Sequence, residues 1–340
     1  MFHSMIRSTN LIKYNCIKQP FLILNKTRRL SNSSSYERFF SATSSLDLSG
    51  IYPPIITPFD EKFNINFDKL SFNLNVWNST SFKGYVVLGS TGEFPFLSEK
   101  NKIHLVKHVK KESEPHKIII AGTGCESTTE TIDLTNKMAD AGAAAALVVS
   151  PFFYKGRMTD DLLYDHYIKV ADSSKIPIIL YSVPANTGID LSATLAASLA
   201  DHSNIIGMKD SGGDISKIGF ICHKTKGKNF QVLAGSAGFL YPALCVGCVG
   251  GVLALANALG SATCQLYENF ISGKHEEARE LQLRLIGPNL AVTKWFGIPG
   301  VKAAMDMLNY QSGLCHPPLK SLTAQELSKL KNEFVINGFL

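Results

Sequence analysis

The chain has 340 residues, 45% of them hydrophobic, which is enough to bury the core of one large domain or two small ones. Its formal net charge is +6, but seven of the 34 basic residues and only one of the 28 acidic residues lie in residues 1–45. The remainder is therefore neutral, which argues against a nucleic-acid-binding surface on the folded part.

Residues 1–45 have the composition of a mitochondrial transit peptide. They are rich in basic residues, Ser and Asn, and they contain one acid, Glu37. The apolar run at residues 21–24 is too short for the core of a secretory signal. We predict that this segment is removed by cleavage at a site somewhere beyond Arg29 and that the protein resides in the mitochondrial matrix. A disordered basic tail is the alternative.

From residue 46 onward, short apolar runs alternate with segments of helical period, such as Phe67, Leu70, Leu74 and Trp77. Near-continuous apolar runs are typical of buried parallel strands. The predicted strands are 52–57, 84–88, 117–121, 145–149, 176–181, 205–209, 231–234 and 249–253. This alternation predicts a (β/α)8 TIM barrel over residues 46–257. An open doubly wound sheet is the alternative, but the glycine-rich dinucleotide turn that it requires is missing.

Residues 258–340 predict a C-terminal helical appendix to the barrel. The expected helices are 258–272, 275–290, 301–308 and 324–337. Thr323-x-x-Glu326 has the spacing of a capping box, and so does Ser127-x-x-Glu130 within the barrel. Ser98, Thr159 and Asp214 are further predicted N-caps.

Two other patterns argue against a membrane span and a metal site. Residues 229–267 are uncharged, but glycines interrupt them too often for a membrane helix. The seven cysteines include one CxxC, Cys245 and Cys248, with no second pair, so free thiols are favoured over zinc. The nine histidines show no grouping with acids that would suit a metal-dependent aldolase.

The predicted active site lies at the carboxyl ends of the strands, as in other TIM barrels. Lys209 closes the sixth apolar strand and precedes the Gly212-Gly213 turn. Burial there disfavours the ammonium form, and a neutral amine is a nucleophile for ketones. The alternative is a lysine that points outward into solvent.

Two further strand ends carry reactive side chains. Tyr181 ends the fifth strand, shortly before Pro184, and its phenol could transfer protons to a substrate near Lys209. A core tyrosine with a satisfied hydroxyl is the alternative. The turn at residues 89–93, GSTGE, follows the second strand, and its small residues allow backbone N–H groups to approach an anion. An ordinary polar turn would have the same composition.

Taken together, these motifs resemble the dihydrodipicolinate synthase and N-acetylneuraminate lyase superfamily of class I pyruvate-dependent barrels. GSTGE is similar to its G-[ST]-[TSN]-G-E element, Tyr181-Ser-Val-Pro to its Y-N-x-P-type element, and Gly207-Met-Lys209 to its strand-six lysine. The match extends from about residue 50 to residue 340. The resemblance implies that Lys209 forms an imine with a 2-keto acid substrate, so that no separate cofactor is needed.

The resemblance also implies roles for other residues. Tyr181 would shuttle protons, and Ser90 and Thr91 would relay protons and hold the pyruvoyl carboxylate. Ser211 and the backbone at Gly235 would make further substrate contacts. The family implies a homotetramer in which Ser90 links Tyr181 to a tyrosine of a neighbouring subunit. That position aligns with Phe153 here, and Tyr154 follows it.

Longer segments resemble the branch that cleaves 4-hydroxy-2-oxoglutarate to pyruvate and glyoxylate in mitochondrial hydroxyproline breakdown. They are GSTGEFPFL, AGTGCEST, YSVPANTG, GMKDSGGD, VLAGSAGFL and FGIPG. Asn186 stands where the bacterial synthases carry an arginine that binds the carboxylate of the aldehyde substrate, which argues against condensation with aspartate semialdehyde. The alternatives are a dihydrodipicolinate synthase-like or N-acetylneuraminate lyase-like activity, or an inactive barrel that binds keto acids.

Overall fold

Eight runs of aliphatic and β-branched residues form parallel strands in the computed structural model, which describes residues 46–340. The strands are β1 (Gly50–Tyr52), β2 (Gly84–Val87), β3 (Ile118–Gly122), β4 (Ala145–Val149), β5 (Ile178–Ser182), β6 (Ile205–Asp210), β7 (Gln231–Ala234) and β8 (Gly250–Val252). The transit-peptide prediction and Cys16 lie outside the described residues.

The strands close into a barrel. From β2 to β8, each strand pairs with the next in sequence, and β8 also pairs with β1. The gap that remains lies between β1 and β2. Hydrogen bonds close it, because the backbone N–H groups of Lys83 and Val86 donate to the carbonyls of Ile51 and Pro53 at 3.0 Å. The predicted (β/α)8 barrel is therefore confirmed.

The first strand differs from its predicted position at residues 52–57. β1 ends at Tyr52 because Pro53 and Pro54 have no N–H to continue the ladder with β8. The register places Gly50 opposite Gly250, where an added Cβ on Gly250 would lie 2.0 Å from the Gly50 carbonyl oxygen. Glycine at this point lets the last strand approach the first closely enough to close the barrel.

Helices cover the outside of the barrel. They are α1 (Phe67–Asn78), α2 (Glu99–Glu112), α3 (Thr128–Asp140), α4 (Asp160–Ser173), α5 (Pro184–Thr187), α6 (Ala193–Leu199), α7 (Ile215–Lys224), α8 (Leu240–Cys245) and α9 (Gly260–Ile271). Their apolar stripes face the strands, and Leu70, Leu74 and Trp77 of α1 are fully buried. No helix within residues 46–340 is both long and apolar enough to cross a bilayer.

The side chains of Ser98, Ser127 and Asp214 accept hydrogen bonds from the first turns of their helices, as N-caps do. Thr159 occupies the N-cap position of α4 as predicted, but its side chain makes no capping hydrogen bond. Both halves of the predicted box at Thr323 and Glu326 are formed. These local signals place the helix starts correctly in most cases.

Three more helices follow the barrel: α10 (His275–Leu290), α11 (Gly297–Met307) and α12 (Ala324–Ile336). A π-helical turn, Ala291–Trp295, joins α10 to α11. α9 packs against α8 and β1, so it is the eighth helix of the barrel. The predicted boundary after residue 257 therefore falls before the last barrel helix rather than after it.

The barrel interior is a separate hydrophobic cluster, formed by alternate strand residues. It includes Tyr52, Val86, Ile120, Leu147, Ile179, Tyr181, Leu233 and Val252. In β5, Ile179 and Tyr181 belong to this interior, whereas Ile178 and Leu180 pack outward against the helices. Tyr181 is thus directed into the barrel near its carboxyl end.

Candidate active site

Lys209 and Tyr181 lie side by side at the carboxyl end of the barrel. They are paired residues of the neighbouring strands β6 and β5. The Nζ atom of Lys209 lies 4.1 Å from the centre of the Tyr181 ring. Both side chains are buried, with 4% of Lys209 and 7% of Tyr181 exposed. The structure therefore rules out a Lys209 side chain that extends outward into solvent.

A β-bulge sets the direction of Lys209. Ile178 pairs with Ile205, but Ile179 pairs with Gly207, so Ile206 is an extra residue in β6. Beyond this point Tyr181 pairs with Lys209 and faces the interior with it, whereas Asp210 faces the helices. Without the bulge, strand alternation would exchange the directions of Lys209 and Asp210.

The surroundings of the Tyr181 phenol affect its pKa in opposite directions. Burial by itself raises its pKa, but the positive charge of Lys209 opposes this effect. Hydrogen bonds with the side chains of Ser90, Lys209 and Ser211 also favour the phenolate. Together these contacts hold the pKa of Tyr181 below its ordinary value of 10.0. A phenol of this kind can accept and return a proton.

The GSTGE turn follows β2 and carries Ser90 to the Tyr181 hydroxyl. Ser90–Gly92 form one turn of 3-10 helix, and Glu93 then adopts a left-handed conformation with φ 58°. Thr57 donates from its hydroxyl to the Gly92 carbonyl at 2.7 Å, which fixes the turn from the β1 side. Thr91 lies on the wall of the central cavity.

The loops after β6 and β7 touch at Gly235. Its backbone N–H donates to the Asp210 carbonyl at 2.7 Å. An added Cβ on Gly235 would lie 2.1 Å from the Ser211 Oγ and 2.6 Å from that carbonyl oxygen. Only glycine therefore allows Ser211 and the β7 loop to share one edge of the site.

Asp210 supports the turn that follows the lysine. It is fully buried, and its Oδ1 accepts hydrogen bonds from the amides of Gly212 and Gly213 at 2.9 and 3.2 Å. Its Oδ2 pairs with the ammonium of Lys217 on α7 at 2.6 Å, and Lys217 also pairs with Asp190. The two carboxylates thus share one ammonium behind the cavity wall.

A cavity of about 690 Å³ lies above Lys209 and Tyr181. Its volume is typical of a small-molecule site. Three of the residues predicted to bind substrate line this cavity: Thr91, Ser211 and Gly235. Asn186 lines it as well. Ser90 lies behind Tyr181, on a small adjoining cavity that the two residues share. The predicted site residues are therefore brought together, although their roles stay predictions.

The sequence-based prediction missed one wall of this cavity. Residues from the end of α10 and from the π-helical turn complete the wall: Ile286, Asn289, Leu290, Thr293 and Lys294. The Asn289 side-chain amide donates to the Ser236 hydroxyl at 3.0 Å, which ties α10 to the loop after β7. These residues carry no local motif, and only their position in the fold reveals them.

The exposed segment Phe152–Tyr154 does not line the cavity of its own subunit. Phe153 and Tyr154 are 73% and 71% exposed, and their ring centres are 5.1 Å apart. The amides of Phe152 and Phe153 donate to a carboxylate oxygen of Glu126 at 3.0 and 2.8 Å, which holds the segment in place. A rigid, exposed aromatic segment of this kind suits a contact between subunits.

No three His, Cys, Asp or Glu side chains of residues 46–340 are grouped closely enough to hold a metal ion. The six cysteines in this range form no disulfides, and Cys245 is exposed whereas Cys248 is buried.

A parallel barrel with a buried lysine beside a tyrosine at its carboxyl end defines a lyase of the class I aldolase type. Comparison with known proteins agrees. The sequence profile of the dihydrodipicolinate synthetase family matches residues 47–335, and the chain belongs to this family. Enzymes of this family bind their substrate as a covalent imine on a lysine and use no external cofactor.

Curated relatives cover nearly the whole described chain. A 4-hydroxy-tetrahydrodipicolinate synthase of Methanothrix thermoacetophila is 36% identical, over 83% of this chain and 95% of its own length. A second 4-hydroxy-tetrahydrodipicolinate synthase, from Haloarcula marismortui, is 33% identical over 84% of this chain and 93% of its own length. The resemblance to the superfamily is therefore confirmed, whereas the predicted branch within it is not shown.

Solved structures show the same architecture. A dihydrodipicolinate synthase of Bacillus anthracis superposes with a TM-score of 0.81 at 30% identity, over 85% of this chain and 98% of its own. A prophage protein of the same family from E. coli K12, solved in complex with pyruvate, superposes with a TM-score of 0.81 at 25% identity, over 86% and 99%.

Proposed function

We propose that the protein is a pyruvate-dependent carbon–carbon lyase in which Lys209 forms the imine. The observation that supports this most directly is the buried Nζ atom of Lys209, 4.1 Å from the centre of the Tyr181 ring, on the wall of a cavity of about 690 Å³. Burial of a lysine without a carboxylate partner carries a desolvation cost, which is typical of functional sites. Asp210, the acid adjacent in sequence, is paired with Lys217 instead.

The proposed reaction uses groups already at the site. The Lys209 amine attacks the 2-keto carbon, and water leaves to give a protonated imine. This imine accepts the electron pair of the C3–C4 bond as an aldehyde departs, while Tyr181 accepts the proton of the 4-hydroxyl. Protonation of the resulting enamine and hydrolysis then release pyruvate and the free amine.

For the aldehyde, we propose glyoxylate, so that the substrate is 4-hydroxy-2-oxoglutarate in a hydroxyproline-degrading reaction. Asn186 supports this proposal, because it lines the cavity where the bacterial synthases carry an arginine. No arginine lines the cavity within the described part of the chain. An uncharged amide cannot form the bidentate pair that an arginine makes with a carboxylate.

The names of the relatives favour a second candidate. The curated relatives with 33–36% identity are 4-hydroxy-tetrahydrodipicolinate synthases, so a synthase-like condensation of pyruvate fits the comparisons better than glyoxylate release does. A comparison of kcat/KM values for the two reactions decides between them. Faster dihydrodipicolinate formation, or faster N-acetylneuraminate cleavage, would overturn the glyoxylate proposal.

The imine itself is tested by trapping. Treatment with pyruvate and borohydride should add one reduced adduct per chain, on a peptide that contains Lys209. The Lys209→Met variant should gain none. Lys294 provides an internal check, because it lines the same cavity. An adduct on Lys294 or on any other lysine, or no adduct at all, would contradict the mechanism.

We also propose a homotetramer, because family members typically assemble in this way and because Phe153 and Tyr154 are exposed. Replacing both residues with serine should lower the mass measured by analytical ultracentrifugation and reduce turnover. One solved relative, 25% identical, is described as a monomeric variant. A native chain that is monomeric and fully active would refute the proposal.

Finally, we propose that the protein is in the mitochondrial matrix, on the basis of the basic, acid-poor composition of residues 1–45. The test is to fuse residues 1–45 to a reporter. A reporter that stays in the cytosol would refute this location.

A further inference from the structure

The cavity above Lys209 is lined by basic but not by acidic side chains. Of the described residues that line it, two are basic, Lys209 and Lys294, and none is Asp or Glu. The proposed reaction uses Lys209 and leaves Lys294 without a role. Charges of one sign on the wall of a concave site raise the local concentration of oppositely charged substrates. The cavity is therefore suited to a molecule with two negative groups.

Lys294 occupies a position that the fold defines closely. It belongs to the π-helical turn Ala291–Trp295, and π-helical turns are frequent at functional sites. The Thr293 hydroxyl donates to the Asn289 carbonyl at 2.6 Å, and Asn289 in turn donates to Ser236. This chain of hydrogen bonds fixes the backbone of the turn against the loop after β7.

A second contact holds the same helix to the barrel. The Gln282 side-chain amide donates to the Ala237 carbonyl at 2.8 Å, and its oxygen accepts from the Tyr241 amide at 2.8 Å. Gln282 is itself buried. α10 is thus held to the barrel at two points, Gln282 and Asn289, and the exposed Lys294 on the cavity wall follows it in the chain.

The Lys294 ammonium forms no ion pair with any residue between 46 and 340. The acids nearest the floor of the cavity, Asp190 and Asp210, are both paired with Lys217. Lys294 is therefore available for an anion that enters from solvent.

We propose that Lys294 binds the distal carboxylate of a dicarboxylic 2-keto acid whose keto carbon is attached to Lys209. The inference rests on the proposed imine chemistry but not on the choice of aldehyde, because glyoxylate and aspartate semialdehyde each carry a carboxylate. Lys294 takes the place of the arginine that Asn186 replaces, from a different element of the fold. It thus determines specificity and takes no part in bond breaking.

The test compares two keto acids of equal chain length, 2-oxoglutarate and 2-oxopentanoate, which differ by the distal carboxylate. For each, the half-saturating concentration for borohydride trapping on Lys209 is measured. For the wild-type protein, the half-saturating concentration of 2-oxoglutarate should be about fivefold lower than that of 2-oxopentanoate. Lys294→Gln should abolish this preference, and Lys294→Arg should retain it. Added salt should weaken the preference in the wild type.

Two controls separate the possible failures. Lys274→Gln removes the same charge at the other end of α10, away from the cavity, and should keep the wild-type preference. Pyruvate has no distal carboxylate, so Lys294→Gln should still trap it on Lys209, with a smaller rise in half-saturating concentration than for 2-oxoglutarate. If the wild type fails to trap pyruvate, both the proposed function and this inference fall. If it traps pyruvate but Lys294→Gln keeps the preference for 2-oxoglutarate, the role of Lys294 alone is wrong.

Discussion

The carboxylate of Glu93 lies 2.7 Å from the ammonium of Lys302 on α11, and both side chains are buried. Lys302 also donates to the carbonyls of Thr57 and Leu314, at 2.9 and 2.5 Å. The other oxygen of Glu93 accepts from the His316 amide at 2.8 Å. The turn that carries Ser90 is thus fixed by residues beyond the barrel.

Replacing Lys302 with Met should destabilise the protein strongly, because it leaves the Glu93 carboxylate buried without a cation. The expected loss is about 3–5 kcal/mol in the free energy of unfolding, measured in urea. The double variant Glu93→Gln with Lys302→Met should recover part of this loss, since no buried charge remains. A single variant as stable as the wild type would show that the pair does not support the turn.

Replacing Tyr181 with Phe removes only a hydroxyl, so folding should persist while turnover falls about 10²- to 10⁴-fold. Tyr167 on α4 provides a matched control. It is also a buried tyrosine, and its hydroxyl donates to the Val148 carbonyl at 3.3 Å, away from the cavity. Tyr167→Phe should keep normal turnover. Comparable losses in the two variants would remove Tyr181 from the proton-transfer role.

The same two tyrosines should ionise at different pH values. Contacts with Lys209, Ser90 and Ser211 lower the pKa of Tyr181, whereas burial raises the pKa of Tyr167. In a spectrophotometric titration, the Tyr181→Phe variant should therefore lose an absorbance change that the wild type shows below the ordinary tyrosine range near pH 10. Loss of a change above that range instead would contradict the assigned environment.

Replacing Gly235 with Ala should disrupt the substrate edge. The Cβ of an alanine at position 235 would lie 2.1 Å from the Ser211 Oγ, so Ser211 or the loop after β7 must move. We expect a loss of about 1–3 kcal/mol in unfolding free energy and weaker trapping of pyruvate. Gly156→Ala is a stability control, because a Cβ there would contact nothing within 4 Å. Equal stability of the two variants would refute the steric argument.

His166 on α4 should make stability depend on pH. Burial lowers its pKa from 6.5 to about 4, so the folded protein holds it neutral where the unfolded chain would bind a proton. Stability should therefore begin to fall as pH drops below about 6.5, and the loss should be complete below about 4, with a total near 3 kcal/mol.

The His166→Gln variant isolates this contribution. Glutamine can still bond to the Thr128 hydroxyl, which lies 3.0 Å from the His166 Nδ1. The variant should lose less stability than the wild type over the same pH range in urea unfolding. An equally steep loss in both proteins would assign the effect to other groups.

Local patterns were sufficient to predict most of the fold and the residues on the cavity floor. Lys209 and Tyr181 end apolar strands, and in a closed barrel all strand ends of one kind meet, so proximity follows from the topology. The first strand was misplaced because residues 52–57 are apolar, although Pro53 and Pro54 have no N–H to continue the ladder with β8. Composition alone does not show which strand residues keep a hydrogen-bonding partner.

The supporting contacts could not be predicted in the same way. Glu93 ends a recognisable turn, but nothing near Lys302 in sequence marks it as the partner of Glu93. Lys294 and Asn289 resemble ordinary polar residues of a surface helix until the packing of α10 brings them to the cavity. Such pairs depend on tertiary geometry, which a single sequence does not encode in any local spacing.

The large sequence separation between Glu93 and its hydrogen-bonding partners also matters during biosynthesis. His316, whose amide binds its carboxylate, is 223 residues further on. During translation the barrel strands leave the ribosome long before the segment that fixes this turn. A nascent chain therefore carries Lys209 before the turn at residues 89–93 has gained its partners, and a premature stop before Lys302 would leave Glu93 without its cation. The geometry of the turn that carries Ser90 thereby depends on completion of the polypeptide.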